Sequence, residues 1–135
     1  MKKLLILIPI FVTIFLIGCD KEIDIIKSEK SPKEVFINML PDAYYIFKDS
    51  IISNTLNPDD GEDDIYQLKV QNCTIDEYHI YNKELVMCGF NNIAYSTDIG
   101  FSARSEDGKY DVMVNIWEAD GLVMITCYKV IYDED

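Results

Sequence analysis

Hydrophobic residues in the second half of the chain recur at every second position, a pattern typical of β-strands with one buried face. The alternating stretches are residues 66–70, 93–103 and 110–116. Residues 122–132 are apolar or bulky at almost every position, which favours a more deeply buried strand. The pattern predicts an antiparallel meander of about five strands, with a wider turn near residues 82–83.

Two-residue turns between these stretches predict how the strands pair. Asp-Gly, a typical hairpin sequence, occurs at residues 107–108 and 120–121, and Asn-Asn occurs at residues 91–92. The expected cross-strand pairs are Cys88–Tyr95, Phe90–Ile93, Ala103–Val112, Phe101–Val114, Ile99–Ile116, Arg104–Asp111, Val114–Cys127 and Ile116–Ile125.

This register separates a core face from a second, solvent-side face. The expected core face consists of Phe90, Ile99, Phe101, Val112, Val114, Ile116, Ile125 and Cys127. The opposite face gathers Met113, Trp117, Met124 and Tyr128. Aromatic and methionine side chains are enriched at protein interfaces, so this second set is a candidate interaction face. Alternatively, another part of the chain covers it.

The segment before the strands has helical spacing. Ser31 and Glu34 match a capping box, and an apolar stripe follows, formed by Phe36, Leu40, Tyr44, Phe47 and Ile51. Pro41 interrupts the stripe, so we expect a kinked helix or two helices, at about 32–40 and 42–55. The predicted fold class is α+β, with this kinked helix or helix pair packed on one face of the meander.

The first residues of the chain have the organisation of a secretory signal peptide. Lys2 and Lys3 precede a 14-residue apolar run, residues 4–17, which Pro9 and Thr13 interrupt. A membrane-spanning helix needs about 20 residues. An uncleaved short anchor helix is the alternative.

Leu16, Ile17, Gly18 and Cys19 resemble the lipobox of bacterial lipoproteins. The resemblance implies a diacylglyceryl thioether on Cys19, cleavage between Gly18 and Cys19, and acylation of the new amino terminus by a fatty acid such as palmitate. Several acyl chains make membrane binding lasting, whereas one does not. The implied location is the cell membrane, facing the periplasm or the cell exterior. Asp20 favours the inner membrane if the source is Gram-negative.

The expected organisation is a signal peptide (1–18), an acylated tether (19–30) and a single domain (31–135). Cleavage removes two of the 12 basic residues and none of the 24 acidic ones, so the net charge changes from −12 to −14. This charge argues against nucleic-acid binding. It suits a basic protein partner, and the alternative is that it serves solubility alone.

Three cysteines remain beside Cys19. An exported protein can form disulfides, and three thiols allow one pair. Cys73 and Cys88 fall on strands expected to be neighbours, so we predict a disulfide between them and a buried free thiol at Cys127. Three reduced cysteines are the alternative.

No sequence pattern predicts catalysis. His79 is the only histidine, and nucleophile, phosphate-loop and zinc-protease motifs are absent. The acidic segment 57–64 does not match a calcium loop. We therefore expect that this protein is not an enzyme and that it binds no cofactor and no metal. The leading expectation is a protein-binding domain, including an inhibitor or immunity protein. The alternatives are a structural subunit of an envelope assembly and a small-molecule binder with a pocket between sheet and helices.

Overall fold

A six-stranded antiparallel sheet forms most of the structure described for this chain. The computed structural model describes residues 29–61 and 63–132. The strands are β1 (Ile51–Leu56), β2 (Ile65–Gln71), β3 (Asn92–Ser96), β4 (Gly100–Arg104), β5 (Tyr110–Trp117) and β6 (Leu122–Lys129). The helices are α1 (Pro32–Met39), α2 (Ala43–Ile46) and α3 (Ile75–Met87). The predicted signal peptide and residues 19–28 of the predicted tether lie outside the described residues.

The order of strands in the sheet is β1-β2-β6-β5-β4-β3. Strands β3 to β6 form a meander, and β6 then pairs along its length with β2. Helix α3 connects β2 to β3, so it carries the chain from β2 to the far edge of the sheet. Strands β1 and β3 form the two edges.

The predicted fold class, a kinked helix or helix pair packed on one face of a five-stranded meander, is wrong. The structure has six strands and three short helices, and the sheet is the larger part. The predicted second helix, residues 42–55, ends at Ile46, and residues 51–56 form β1 instead. Tyr44 and Ile51, which the helical stripe placed in the core, are exposed.

Local chemistry and a partner strand explain where the helices stop. Leu40 is extended, with ψ 152, because the following Pro41 disfavours helical backbone at that position. Residues 51–56 contain isoleucine and threonine, which favour strands, and they pair with β2 from Ile51 opposite Gln71 onward.

Helix α3 occupies residues that the predicted meander placed in strands joined near residues 82–83. The Thr74 hydroxyl accepts a hydrogen bond from the Glu77 N–H at 3.2 Å, and the Glu77 carboxylate accepts one from the Thr74 N–H at 2.8 Å. This capping box fixes the start of the helix. Tyr78, Tyr81 and Leu85 follow at helical spacing, and all three are fully buried. The predicted turns at residues 82–83 and 91–92 are therefore wrong.

The predicted hairpin at residues 107–108 is confirmed. Ala103 pairs with Val112 and Phe101 with Val114, as expected. The predicted pair Arg104–Asp111 is also present.

The next hairpin differs from the prediction by two residues. Val114 pairs with Ile125, rather than with Cys127, because a four-residue loop replaces the expected two-residue turn. The loop consists of a short 3-10 helix, Glu118–Asp120, and Gly121 at φ 57. A shift of two residues keeps every side chain on its predicted face.

The core lies on one side of the sheet, which we call the inner face. Of the predicted core residues, all except Ile99 are buried. Strand β2 adds Tyr66, Leu68 and Val70, and the helices add further buried side chains, namely Phe36, Leu40, Ala43, Tyr78, Tyr81 and Leu85. Because β2 pairs with β6, its buried side chains join the same core as those of the meander.

Candidate functional site

The four residues of the predicted interaction face lie on one side of the sheet. Met113 and Trp117 are on β5, and Met124 and Tyr128 are on β6. Burial alternates along both strands, and these four side chains point away from the core. All four keep contact with solvent, and Trp117 is 48% exposed. We call this side the outer face. The role of these residues in binding stays a prediction.

Strand register makes the four side chains a continuous patch. Asn115 lies opposite Met124, so Met124 is the diagonal neighbour of both Met113 and Trp117. Met113 lies opposite Thr126 and is therefore the diagonal neighbour of Tyr128 as well. Diagonal neighbours on a sheet are within reach of long and aromatic side chains.

Gly100 lets an aromatic ring lie over the outer face next to this patch. A Cβ at Gly100 would lie 3.2 Å from the Tyr95 ring and 3.2 Å from the Asn115 side-chain oxygen. A larger residue at this position would require both groups to shift by a few tenths of an ångström. Tyr95, on β3, therefore extends the aromatic surface toward the edge of the sheet.

A groove of about 450 Å³ lies at the end of the outer face where Trp117 is found. Its lining consists of Ile99, Asn115, Ile116, Trp117, Glu118, Ala119 and Asp120. Ile99 is 70% exposed, so its prediction as a core residue is wrong. The reason is that Ile99 belongs to the turn between β3 and β4 and precedes the first residue of β4.

Carboxylates surround this end of the sheet, which we call the acidic end and define by Asp76, Glu77, Asp98, Glu118 and Asp120. Two contacts hold the start of α3 against the neighbouring loops: the Cys73 N–H donates to the Gly121 carbonyl at 3.0 Å, and the Tyr78 hydroxyl donates to the Thr97 carbonyl at 3.1 Å. Residues 71–82, 92–103 and 113–128 contain no lysine or arginine. The local potential at this end is therefore negative.

The other end of the outer face carries a cation. The Arg104 guanidinium donates to both carboxylate oxygens of Asp111, at 2.7 and 2.9 Å. This paired contact raises the pKa of Arg104 above its usual value. Burial, followed by the charge of Asp111, raises the pKa of Tyr128. The two ends of the outer face therefore differ in charge.

A second concave surface lies elsewhere, between the two short N-terminal helices and the first two strands. This α1–β1 cleft has a volume of about 470 Å³. It is lined by Lys33, Ile37, Leu40, Pro41, Asp42, Ala43, Tyr44, Asn54, Tyr66 and Leu68. Apart from the helix break at Pro41, no sequence pattern predicts the cleft, because the cleft depends on residues 51–56 being a strand.

Aromatic packing holds Tyr66 at the base of this cleft. The Phe36 ring stacks on the Tyr66 ring, with ring centroids 5.9 Å apart. The Phe36 ring also contacts the Tyr110 ring edge-on, with centroids 5.6 Å apart. Burial is the main cause that raises the pKa of Tyr66, and nearby Tyr44 adds to it. The Tyr66 side chain therefore stays neutral and can donate a hydrogen bond.

The predicted disulfide between Cys73 and Cys88 is wrong. Cys73, Cys88 and Cys127 are free thiols. Cys73 precedes α3 and Cys88 is its C-terminal cap, so the helix separates them by about 20 Å, whereas a disulfide needs Cα atoms within about 7 Å. Burial raises the pKa of all three thiols, which makes them poor nucleophiles.

The residues considered for catalysis or metal binding lie apart in the described part of the chain. His79 is an exposed residue of α3. Within residues 29–61 and 63–132, no three metal-ligating side chains of the His, Cys, Asp or Glu type come together. The helices described there are also too short or too polar to cross a membrane.

Comparison with known proteins gives no relative for this chain: no protein-family model, no curated protein and no solved structure matches it. Functional inference therefore depends on the chain's own motifs, surfaces and charges. Two concave surfaces stand out, the groove at Trp117 and the α1–β1 cleft.

Proposed function

We propose that this chain is a membrane-anchored envelope lipoprotein whose small acidic domain binds a basic protein through the Trp117 groove. The observation that carries the proposal is the combination of exposed Trp117 and Ile99 with the carboxylates of Glu118 and Asp120 around one groove. Tryptophan is the residue type most enriched among binding hot spots. Isolated exposed apolar residues are ordinary, but here they adjoin a patch that includes Met113 and Met124.

Charge decides which kind of partner fits. The acidic end has five carboxylates, and its neighbouring segments contain no lysine or arginine. A partner lysine or arginine would find a carboxylate and the face of an aromatic ring together, and both attract a cation. The mature chain's charge of −14 would also speed the encounter with a basic protein and oppose an acidic one.

The membrane anchor is supported by the N-terminal motif. Leu16 to Cys19 resemble a lipobox, and Cys19 supplies the thiol that the lipid requires. Attachment of Cys19 to the membrane would confine the domain to the membrane surface and raise its effective concentration toward a membrane-associated partner. Replacing Cys19 by Ala should abolish lipid labelling and leave the precursor uncleaved; normal processing would contradict the lipoprotein assignment.

The binding proposal is tested by crosslinked affinity capture from native membranes. Three forms of the full chain are compared: the unchanged protein, Trp117→Ala and Tyr45→Ala. Tyr45 is an exposed aromatic residue on α2, away from the outer face, and serves as the matched control. The recovered protein is identified, purified and titrated against all three forms.

The expected result is a basic protein whose affinity falls by about tenfold or more for Trp117→Ala, corresponding to about 1.4 kcal/mol. The affinity for Tyr45→Ala should stay unchanged. Equal loss for both variants, or a partner that is acidic, would contradict the proposal. If the partner is a toxin or lytic enzyme, loss of its activity on binding would identify the domain as an inhibitor or immunity protein.

A further inference from the structure

We infer that the α1–β1 cleft is a second binding site, and that it takes a short zwitterionic peptide or amino acid with an apolar side chain. This inference is independent of the Trp117 groove, because the two surfaces share no lining residue. It depends on four features of the cleft: its size, its charges, its polar groups and its apolar wall.

The size of the cleft suits a small molecule. Its volume of about 470 Å³ falls within the range of about 300–1,000 Å³ that is usual for ligand pockets. The cleft exists because the helix breaks at Pro41 and α2 is only four residues long. Part of the inner face next to edge strand β1 is therefore left open, including Asn54, which pairs with Leu68 across the strands.

Two opposite charges line the cleft without pairing with each other. Lys33 comes from α1, and Asp42 is the N-cap of α2. Arg104–Asp111 is the one ion pair within 4.0 Å among the described residues, so neither Lys33 nor Asp42 has an ionic partner there. A ligand carrying a carboxylate and an ammonium group would satisfy both charges at once, whereas a singly charged ligand would satisfy only one.

The cleft lining also contains polar groups that can bond to a peptide group. Tyr66 is mostly buried but lines the cleft, so its hydroxyl can offer a hydrogen bond to a ligand. The Asn54 side chain offers both a donor and an acceptor, which is the set that one peptide group requires.

The remaining wall of the cleft is apolar. It is formed by Ile37 of α1, by Leu40, which directly follows α1, and by Leu68 of β2. Tyr44 stands exposed beside them and offers a ring face. An aliphatic or aromatic side chain of the ligand would remove this surface from water, and that burial supplies binding energy that the two charges alone do not.

The experiment is calorimetric titration of the full chain with defined probes. L-leucyl-L-leucine carries both charges and a peptide bond, and L-leucine carries both charges without the peptide bond. N-acetyl-leucyl-leucine lacks the ammonium group, and leucyl-leucine amide lacks the carboxylate. We expect the free dipeptide to bind at least tenfold more tightly than either blocked form. Comparison with leucine separates peptide from amino-acid recognition.

Variants locate the site. Asp42→Asn keeps an N-cap residue for α2 and removes the charge, and Lys33→Gln removes the opposite charge. Tyr66→Phe keeps the ring that stacks on Phe36 and removes the hydroxyl. Each should weaken dipeptide binding about fivefold or more, with unchanged far-ultraviolet circular dichroism. Lys48→Gln is the matched control, because Lys48 lies outside the cleft lining, and it should bind the dipeptide normally.

Three results would overturn the inference. They are failure of the unchanged protein to bind either free probe, equal binding of the free and blocked dipeptides, and equal binding by the Asp42→Asn, Lys33→Gln and Lys48→Gln variants. None of these results would affect the Trp117 groove, whose partner is measured separately.

Discussion

The acidic end and the α1–β1 cleft are both concave, but they differ in charge. The acidic end has only negative charges around an exposed tryptophan. Its groove opens onto a broad sheet face. The cleft has one lysine and one aspartate on an apolar wall. A surface of a single sign attracts a large, oppositely charged partner, whereas a pocket with both signs discriminates between small ligands by their own charges. The difference indicates two kinds of ligand for one small domain.

The largest expected effect comes from truncating Tyr78, a core residue of α3 that also contacts a loop of the acidic end. Tyr78 is fully buried, and its hydroxyl donates to Thr97 in the β3–β4 turn. Tyr78→Ala should lower the free energy of unfolding by about 3–5 kcal/mol, because it removes a large core side chain. Tyr78→Phe should cost only about 1 kcal/mol, since the hydrogen bond alone is lost.

Urea unfolding of both variants measures this prediction. Tyr44→Ala, which changes an exposed tyrosine of the cleft, should differ from the unchanged protein by about 0.5 kcal/mol or less. A Tyr78→Ala variant as stable as Tyr44→Ala would contradict the packing of Tyr78 in the core.

An intermediate effect is expected from removing negative charge at the groove, because this change should weaken binding there and leave the α1–β1 cleft unaffected. The double variant Glu118→Gln, Asp120→Asn removes two carboxylates from the groove lining and keeps side-chain size. Its affinity for the basic partner should fall by about tenfold at low salt, and the dependence of that affinity on salt should become weaker. Dipeptide binding to the cleft should not change. Equal weakening of both ligands would show that overall charge, rather than the acidic end, is responsible.

The smallest effect concerns the turn at the opposite end of the sheet. The Ser105 hydroxyl donates to the Asp107 carboxylate at 2.6 Å, and the Lys109 N–H donates to it at 3.0 Å. These bonds, led by Ser105, lower the pKa of Asp107 in the folded protein. The stability they provide is present above the unfolded pKa of about 3.9 and is lost as pH falls through the lower folded value.

Asp107→Asn should therefore reduce the loss of stability on acidification, by a small amount because the site is exposed. Thermal unfolding at neutral pH and at about pH 3 measures the difference. If the variant loses as much stability on acidification as the unchanged protein does, the hydrogen bonds to the Asp107 carboxylate do not stabilise the fold.

Local sequence chemistry predicted part of the fold. Residues 107–108 have an Asp-Gly sequence that suffices for a hairpin, so the β4–β5 register was predictable. The capping box at Ser31 also predicted α1. The matching box at Thr74 and Glu77 was present in the sequence as well. Tyr78 and Ile80 favour a strand, so their local preference conflicts with the helix that this box begins.

Long-range pairing could not be predicted in the same way. Strand β2 pairs with β6 across more than 50 residues, and no local turn reports this contact. Residues 51–56 are a strand because β2 lies beside them, which is a tertiary effect rather than a local preference. The α1–β1 cleft depends on that strand, so it was missed. Trp117 and its neighbours depend only on a period of two, and their common face was therefore predictable.

The most direct test of the central claim places a photo-crosslinking residue in the groove in living cells. The variant Ala119→benzoylphenylalanine puts the probe in the groove lining, beside Glu118 and Asp120. The matched probe is Tyr45→benzoylphenylalanine, on exposed α2. Illumination should link the probe at position 119, but not the probe at position 45, to a basic protein, and Trp117→Ala in the same chain should reduce that product strongly. Equal products at both positions, or no product at position 119, would contradict the account.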